Sequence, residues 1–362
     1  MSRTRLFHTG LRGRMTAALL AVATVATLGT AGCAKSDEPV AAASGPLPTE
    51  IQPGTKLVIA DQSERLQSAL RFSGELDKLP FQVEFANFTG GPAILEAFRA
   101  GAADLAPVGD VPPIHALAAG QDVPIIASYR TNPQAMKLAV APGVPVRTLA
   151  DLKGRKIAYA EGTAQQAAVL RALDKAGLST GDVELVRLQL AEFLDAVRTG
   201  QVDVAPLLEP NVTRLLRTQG ASLIPDSETA GIYPGLAYLY ARRDVVNDPA
   251  KAGAARALVA AFIRAFHWAN TNSDEWERRY YVENQKVSPE DAERIVTSLG
   301  QWTFPHLDQK VIDVQQQTID AIDAAGQLPK KVRAEDGFDL RFDDVITQTV
   351  TESGASFGPE VG

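Results

Sequence analysis

Four short stretches of this chain combine glycine, threonine and a lone acid in patterns suited to holding a small anion. They are Asn87-Phe88-Thr89-Gly90-Gly91-Pro92, Gly109-Asp110-Val111-Pro112-Pro113, Glu161-Gly162-Thr163-Ala164-Gln165-Gln166 and Leu208-Glu209-Pro210-Asn211. Glycine lets backbone N–H groups approach a ligand with no side chain in the way. The start of a helix adds unpaired N–H groups and a partial positive charge. The 161–166 turn fits this chemistry best, because Thr163 is placed both to cap its helix and to offer a hydroxyl. Taken one at a time, each turn also reads as an ordinary helix cap. Metal chemistry is poorly provided for. The four histidines, His8, His115, His267 and His306, are far apart in sequence, and Cys33 is the only cysteine. A zinc or copper site would lack its usual ligands.

The surrounding pattern explains how such turns would be placed. Apolar runs at 57–60, 81–85, 105–108, 124–129, 136–140, 156–160, 183–188, 202–207 and 236–240 alternate with helical spacing at 65–72, 92–99, 112–119, 163–176 and 191–199. Strands alternating with helices predict mainly parallel sheets, whose ligands sit at the carboxyl ends of the strands. All four turns fall there, as does Gln62 after the first strand. From Pro249 the pattern is nearly all helical, with Trp268, Trp276 and Trp302 expected as packing residues. Tyr238 and Tyr240 share a strand face and are expected in the core, leaving Tyr233, beside Pro234-Gly235, as the better pocket residue. Arg130 is a possible counter-charge after a strand, and His115 reads as a helix-face residue.

The N-terminus carries a different signal. Arg3, Arg5, Arg12 and Arg14 precede a charge-free run from Met15 to Gly32, and Cys33 follows directly. A basic stretch, a short apolar run and small residues before a cut site describe an export signal. Leu28-Gly29-Thr30-Ala31-Gly32-Cys33 resembles a bacterial lipobox, which implies residues 1–32 as signal peptide and Cys33 as the lipidated N-terminus. Plain secretion or a retained helix are the alternatives. Residues 33–54, rich in Ala, Pro and Ser, are expected as a flexible tether. A formal net charge of −7 argues against nucleic acid. No disulfide framework is possible with one thiol.

Several of these residues together carry a family likeness. Phe88-Thr89-Gly90-Gly91-Pro92-Ala93-Ile94-Leu95-Glu96-Ala97, Ala100-Gly101-Ala102-Ala103-Asp104, Gly109-Asp110-Val111-Pro112-Pro113 and Ala118-Ala119-Gly120 follow one order. So do Thr148-Leu149-Ala150-Asp151-Leu152-Lys153-Gly154, Gly200-Gln201-Val202-Asp203, Gln315-Gln316-Gln317 and Leu328-Pro329-Lys330. The series resembles the substrate-binding proteins of ABC importers of the aliphatic sulfonate, taurine and nitrate type. The chain departs from that pattern at Ala205 and Leu208, where aromatics are frequent, at Glu209, where Asp is usual, and at Thr163, where Ser is more frequent.

The resemblance implies an α/β type II periplasmic-binding-protein fold, two lobes joined by crossing segments near Ala141 and Leu236. Lobe one is then 55–141 plus 237–345, lobe two 142–236, and 346–362 a disordered tail. It further implies a non-enzymatic, cofactor-free receptor that captures an organosulfonate or sulfate ester between its lobes and delivers it to an ABC permease and ATPase. Such a receptor is an extracytoplasmic, lipid-anchored monomer. The candidate ligand residues are Gln62, Thr89, Gly90, Gly91, Asp110, Gly162, Thr163, Ala164, Gln165, Glu209 and Tyr233, with Asp110 and Glu209 reading an amine or bracing loops. Nitrate, bicarbonate, an aromatic carboxylate or a thiamine-precursor pyrimidine are alternative ligands. A desulfinase on the same fold would need a reactive thiol, and Cys33 lies outside both predicted lobes.

Overall fold

The structure, a computed structural model, describes residues 45–359; the expected export signal and Cys33 lie outside the described residues. Ten strands follow the chain: β1 (Lys56–Asp61), β2 (Gln82–Asn87), β3 (Leu105–Gly109), β4 (Ile125–Arg130), β5 (Lys137–Val140), β6 (Lys156–Tyr159), β7 (Glu184–Arg187), β8 (Val204–Leu207), β9 (Ser222–Leu223) and β10 (Leu236–Ala241). They form two sheets, ordered β2-β1-β3-β10-β4 and β7-β6-β8-β5-β9. The first sheet is parallel except for β10, which runs antiparallel to both neighbours. In the second, β5 is the antiparallel strand. Central strands read as unbroken apolar runs because helices cover both faces: every residue of β10 is buried. Tyr238 and Tyr240 lie in the core as expected, against Phe338 and Phe98 at ring separations of 5.8 and 4.9 Å.

The chain passes between the sheets twice, and the first passage differs from expectation. β5 pairs with β8 in the second sheet, and its Leu138 and Val140 pack into that sheet's core, so the crossing lies at 131–136 rather than near Ala141. The second crossing occupies 224–235. The two touch: the Thr131 N–H donates to the Gly235 carbonyl at 3.0 Å. Gly235 has φ +71°, and a Cβ there would sit 2.4 Å from the Thr131 oxygen, so glycine is required at this joint.

Helix Ala164–Lys175 is shared by both halves. Its Ala167 and Leu170 join the core of the first sheet, while Ala168, Val169, Ala172 and Leu173 join that of the second. Helix Pro249–Thr271 packs on the first sheet. Its Phe262 and Phe266 meet Tyr129, Phe304 and Trp302, with Trp276 beside them, so Trp276 and Trp302 are packing residues. The run Glu277–Asn284 winds as a π-helix, a wider turn that brings both Tyr280 and Tyr281 inward.

Two further expectations are corrected at the ends. The C-terminal region is not a disordered tail through residue 359: Asp343–Ser353 is a helix burying Val345, Ile346, Thr349 and Val350, a helical stripe that covers Pro249–Thr271. Beyond it, the Phe304 N–H donates to the Ser356 carbonyl at 2.9 Å and Phe357 stacks on His306 at 4.1 Å. Nor do residues 47–50 behave as free tether. Leu47 is buried, and Gly253 leaves room for the Glu50 carbonyl, which a Cβ would approach to 2.5 Å. Replacing fully buried Ile346 by Ala is expected to cost about 2–5 kcal/mol. Urea denaturation checks this, and an unchanged midpoint would place that helix outside the cooperative core.

Candidate ligand-binding cleft

The carboxyl ends of β1, β2 and β3 face those of β6, β7 and β8, and the backbone turns between them come into contact. A Cβ on Gly91 would lie 2.3 Å from Pro112 Cγ and 3.4 Å from the Gly162 carbonyl. One on Gly109 would meet Ala164 Cβ at 3.0 Å, and one on Gly90 would meet Leu190 Cδ1 at 3.3 Å. The structure therefore brings together Thr89, Gly90, Gly91, Asp110, Gly162, Thr163 and Ala164 from three separate turns. Beside this contact opens a cavity of about 340 Å³, lined among others by Thr89, Gly90, Tyr159, Thr163, Arg187 and Glu192.

Two helix starts border the cavity and neither has a side-chain cap. Helix Gly91–Arg99 begins after Gly90, which has no side chain to offer. Helix Ala164–Lys175 begins after Thr163, whose hydroxyl donates instead to the Ala160 carbonyl at 2.7 Å. The dual role expected of Thr163 is thus not seen: its hydroxyl is engaged backwards, and the helix start is left open. Gln165 is half-buried in the first turn of the same helix.

Other expected residues brace the cleft. Asp110 is buried, with Oδ2 accepting from Thr318 Oγ1 at 3.3 Å and ion-paired with Arg171 Nη1 at 3.7 Å; its carbonyl accepts from Gln315 Nε2 at 2.7 Å. Burial holds this carboxyl above its ordinary range, and the Arg171 charge pulls the other way. Arg171 belongs to the shared helix, so the pair spans both halves. Gln62 Nε2 donates to the Pro107 carbonyl at 2.9 Å, tying the β1 loop to β3. Glu209 Oε2 accepts from the Thr213 N–H at 3.0 Å and so caps helix Asn211–Leu216. Tyr233 is buried, which raises its hydroxyl's pKa, with Asp110, Tyr129 and Arg65 nearby. Arg130 Nε donates to the Pro234 carbonyl at 3.1 Å, at the crossing.

Sequence reasoning missed three groups. Gln166 is fully buried. Its Oε1 accepts from the Gly162 N–H at 2.8 Å and faces His115 Nε2 at 3.0 Å, and its Nε2 donates to Gln327 Oε1 at 2.7 Å. His115 is thereby a strut between halves. The second group is the rim opposite, where Arg217 pairs with Asp291 and donates to Ser288 Oγ, and Arg214 donates to the Gln285 carbonyl. Both sides of the cleft are bridged, so this is a closed arrangement.

The third group is the loop after β1. The Asp61 carboxylate accepts from the Gln62, Leu66 and Gln67 N–H groups. Ser63 and Glu64 both have φ +55°, an uncommon region for such residues that costs roughly 1–3 kcal/mol each. The loop is pinned by Tyr280 Oη and Gln285 Nε2 on the Ser63 carbonyl, and by Asn284 on the Glu64 carboxylate. Next comes Arg65, half-buried, its guanidinium donating only to Tyr129 Oη at 3.4 Å. A cation in the first turn of a helix opposes the helix dipole, and that signal was legible in the sequence. Among the described residues no group of His, Cys, Asp and Glu is arranged to hold a metal.

This fold and cleft define a periplasmic binding protein of the two-sheet type. The NMT1/THI5-like family profile matches residues 82–275, more than half of the chain, and the chain belongs to that family. It is 29% identical over 254 residues to an Escherichia coli protein named as an aliphatic sulfonates-binding protein, covering 69% of this chain and 77% of that one. The alkanesulfonate-binding protein SsuA from Xanthomonas axonopodis pv. citri, solved bound to MOPS, superposes with a TM-score of 0.72 at 26% identity, covering 80% of this chain and 99% of that one. The desulfurization enzyme DSZB shares the fold alone, with a TM-score of 0.60 at 16% identity, covering 82% of this chain and 99% of that one.

Burial holds the His115 pKa below the ordinary imidazole value, with the Gln166 bond acting against that. The unfolded chain thus takes up a proton first as pH falls. Stability contributed by neutral His115 is full above about pH 6.5 and is lost as pH drops through the lowered native value. The thermal midpoint of H115Q is expected to fall less than that of the wild type between pH 8 and pH 5. Equal falls would remove His115 from the account.

Proposed function

We propose that this protein is the extracytoplasmic receptor of an ABC importer, capturing an organosulfonate or sulfate-ester anion between its halves and presenting it to a permease. The observation that carries the reading is the pair of uncapped helix starts, one from each half, that border a single cavity. A sulfonate is a permanent anion with three acceptor oxygens, and it needs several N–H donors rather than a base or a metal. Thr89 and Gly90, which line the cavity, with Gly91, Ala164 and Gln165 of the two helix starts, are the residues proposed to surround it. Gly162, whose N–H is held by Gln166, joins Gln62, Asp110, Thr163, Glu209 and Tyr233 in holding the loops. The names of the relatives support this choice of anion, and MOPS is itself a sulfonate. The bridges on both sides of the cleft suit a clamp that closes over its ligand.

The Cys33 lipobox supports a lipid anchor outside the cytoplasmic membrane, following removal of residues 1–32. No described helix is long and apolar enough to cross a membrane. A binding role is favoured over desulfination because the sequence offers no cysteine after residue 33, and so no thiol within the cleft.

Thermal unfolding against alkyl and aryl sulfonates, taurine, sulfate esters, nitrate, bicarbonate and phthalate tests the reading. A ligand at 100 times its dissociation constant adds about 2.7 kcal/mol, a rise of several degrees at roughly 2–4 °C per kcal/mol. The expected result is a rise with one sulfonate class and none with nitrate. A rise with nitrate or a carboxylate alone would overturn the proposed substrate.

A further inference from the structure

We propose that Arg65 is the positive charge with which the ligand's anionic group pairs, a contact beyond the two helix starts and one that rests on the anion-binding reading above. The geometry places no carboxylate at ion-pairing distance of this guanidinium, and the Asp61 charge acts on it from further off. Arg171, Arg242, Arg243 and Arg341 are ion-paired with carboxylates. The half-buried Arg130, Arg155 and Arg256, which like Arg65 have no ion pair among the described residues, each donate to a carbonyl or amide oxygen. Arg65 has none at ion-pairing distance among the described residues; its one side-chain hydrogen bond is the long contact to Tyr129 Oη.

The nearby acids are committed elsewhere. Asp61 spends its oxygens on three backbone N–H groups, and Glu64 accepts from Asn284. Around Arg65 stand Tyr129, Tyr233, Tyr280 and Tyr281, whose rings take water away, while the Asp61 carboxylate favours the charge from beyond ion-pairing distance. A desolvated, unpaired cation is costly unless something completes it. The loop that carries it is held in left-handed backbone and pinned from Asn87 and the π-helix, which fixes the charge in place before any ligand arrives. Arg65 follows β1 by four residues on a loop tied to Asn87, two residues before Thr89. Tyr233 lies near both Arg65 and Asp110, which sets the charge beside the cavity of about 340 Å³ rather than in its lining. A planar fork of donors matches two oxygens of a sulfonate or sulfate ester.

The test compares wild type, R65M and R65K for the ligand-free thermal midpoint and for calorimetric affinity toward butanesulfonate and MOPS. Removing an unpaired charge is expected to leave the R65M midpoint unchanged or higher, while its affinity falls at least roughly thirtyfold. R65K, which keeps the charge and loses the fork, is expected to fall between the two. R65M binding within threefold of wild type overturns the assignment and leaves the anion reading standing. A lowered R65M midpoint with R65K binding no better than R65M assigns Arg65 a structural role and also overturns it. Failure of the wild type to bind any sulfonate removes the underlying reading, and the assignment falls with it.

Discussion

Helix Ala164–Lys175 belongs to both halves of the molecule at once, and the cleft follows from that sharing. A helix buried on two faces needs small residues where neighbours crowd it, and Ala164, Ala167, Ala168 and Ala172 provide them. Because it is sandwiched, its start emerges where the two halves meet, and the polar side chains on its inner face reach the opposite half. Gln166 and Arg171 do so, toward His115 and Asp110. Glycine at 109 and 162 is the complementary requirement, since a side chain there would press on Ala164 or Pro92 of the facing half, while glycine at 91 leaves room for Pro112 within its own half.

The polar groups inside this contact divide into those that fasten and those left open. Asp110, Arg171 and Thr318 form one linked group and His115, Gln166 and Gln327 another, with Asp110 Oδ1 left without a partner. Such buried networks favour one arrangement of the halves over near alternatives. The helix starts at Gly91 and Ala164 and the Arg65 guanidinium are the positive ends left over. Helix starts left uncapped between two halves are satisfied by an acceptor that enters there, which under the proposed function couples closure to occupancy.

Much of the scaffold was legible because its signals are local. The run Leu57-Val58-Ile59-Ala60 is a buried strand by its pattern alone, and the Gly90-Gly91-Pro92 turn announces a helix start after a strand. Residues singled out by type were placed less well by role. Asp110 and Glu209 look like ligand contacts in sequence, yet one braces two halves and the other caps a helix, because which lone pair a carboxylate spends depends on its three-dimensional neighbours. Gln166 and Arg65 were passed over for the converse reason: a glutamine or arginine in a helix has an exposed role by default, and only packing reveals burial. The π-helix at Tyr280 and Tyr281 has no local signature, and the apolar stripe of Asp343–Ser353 is interrupted by enough Asp and Thr to read as tail. The first crossing was misplaced by a few residues because β5 is apolar on both faces and fits either sheet by composition.

The seating of residues 47–50 on helix Pro249–Thr271 also sets a length. About 14 residue steps lead from Cys33 to Leu47, a contour of at most about 50 Å at full extension. If Cys33 carries the proposed lipid, that contour caps how far the first buried residue of the fold can stand from the membrane surface.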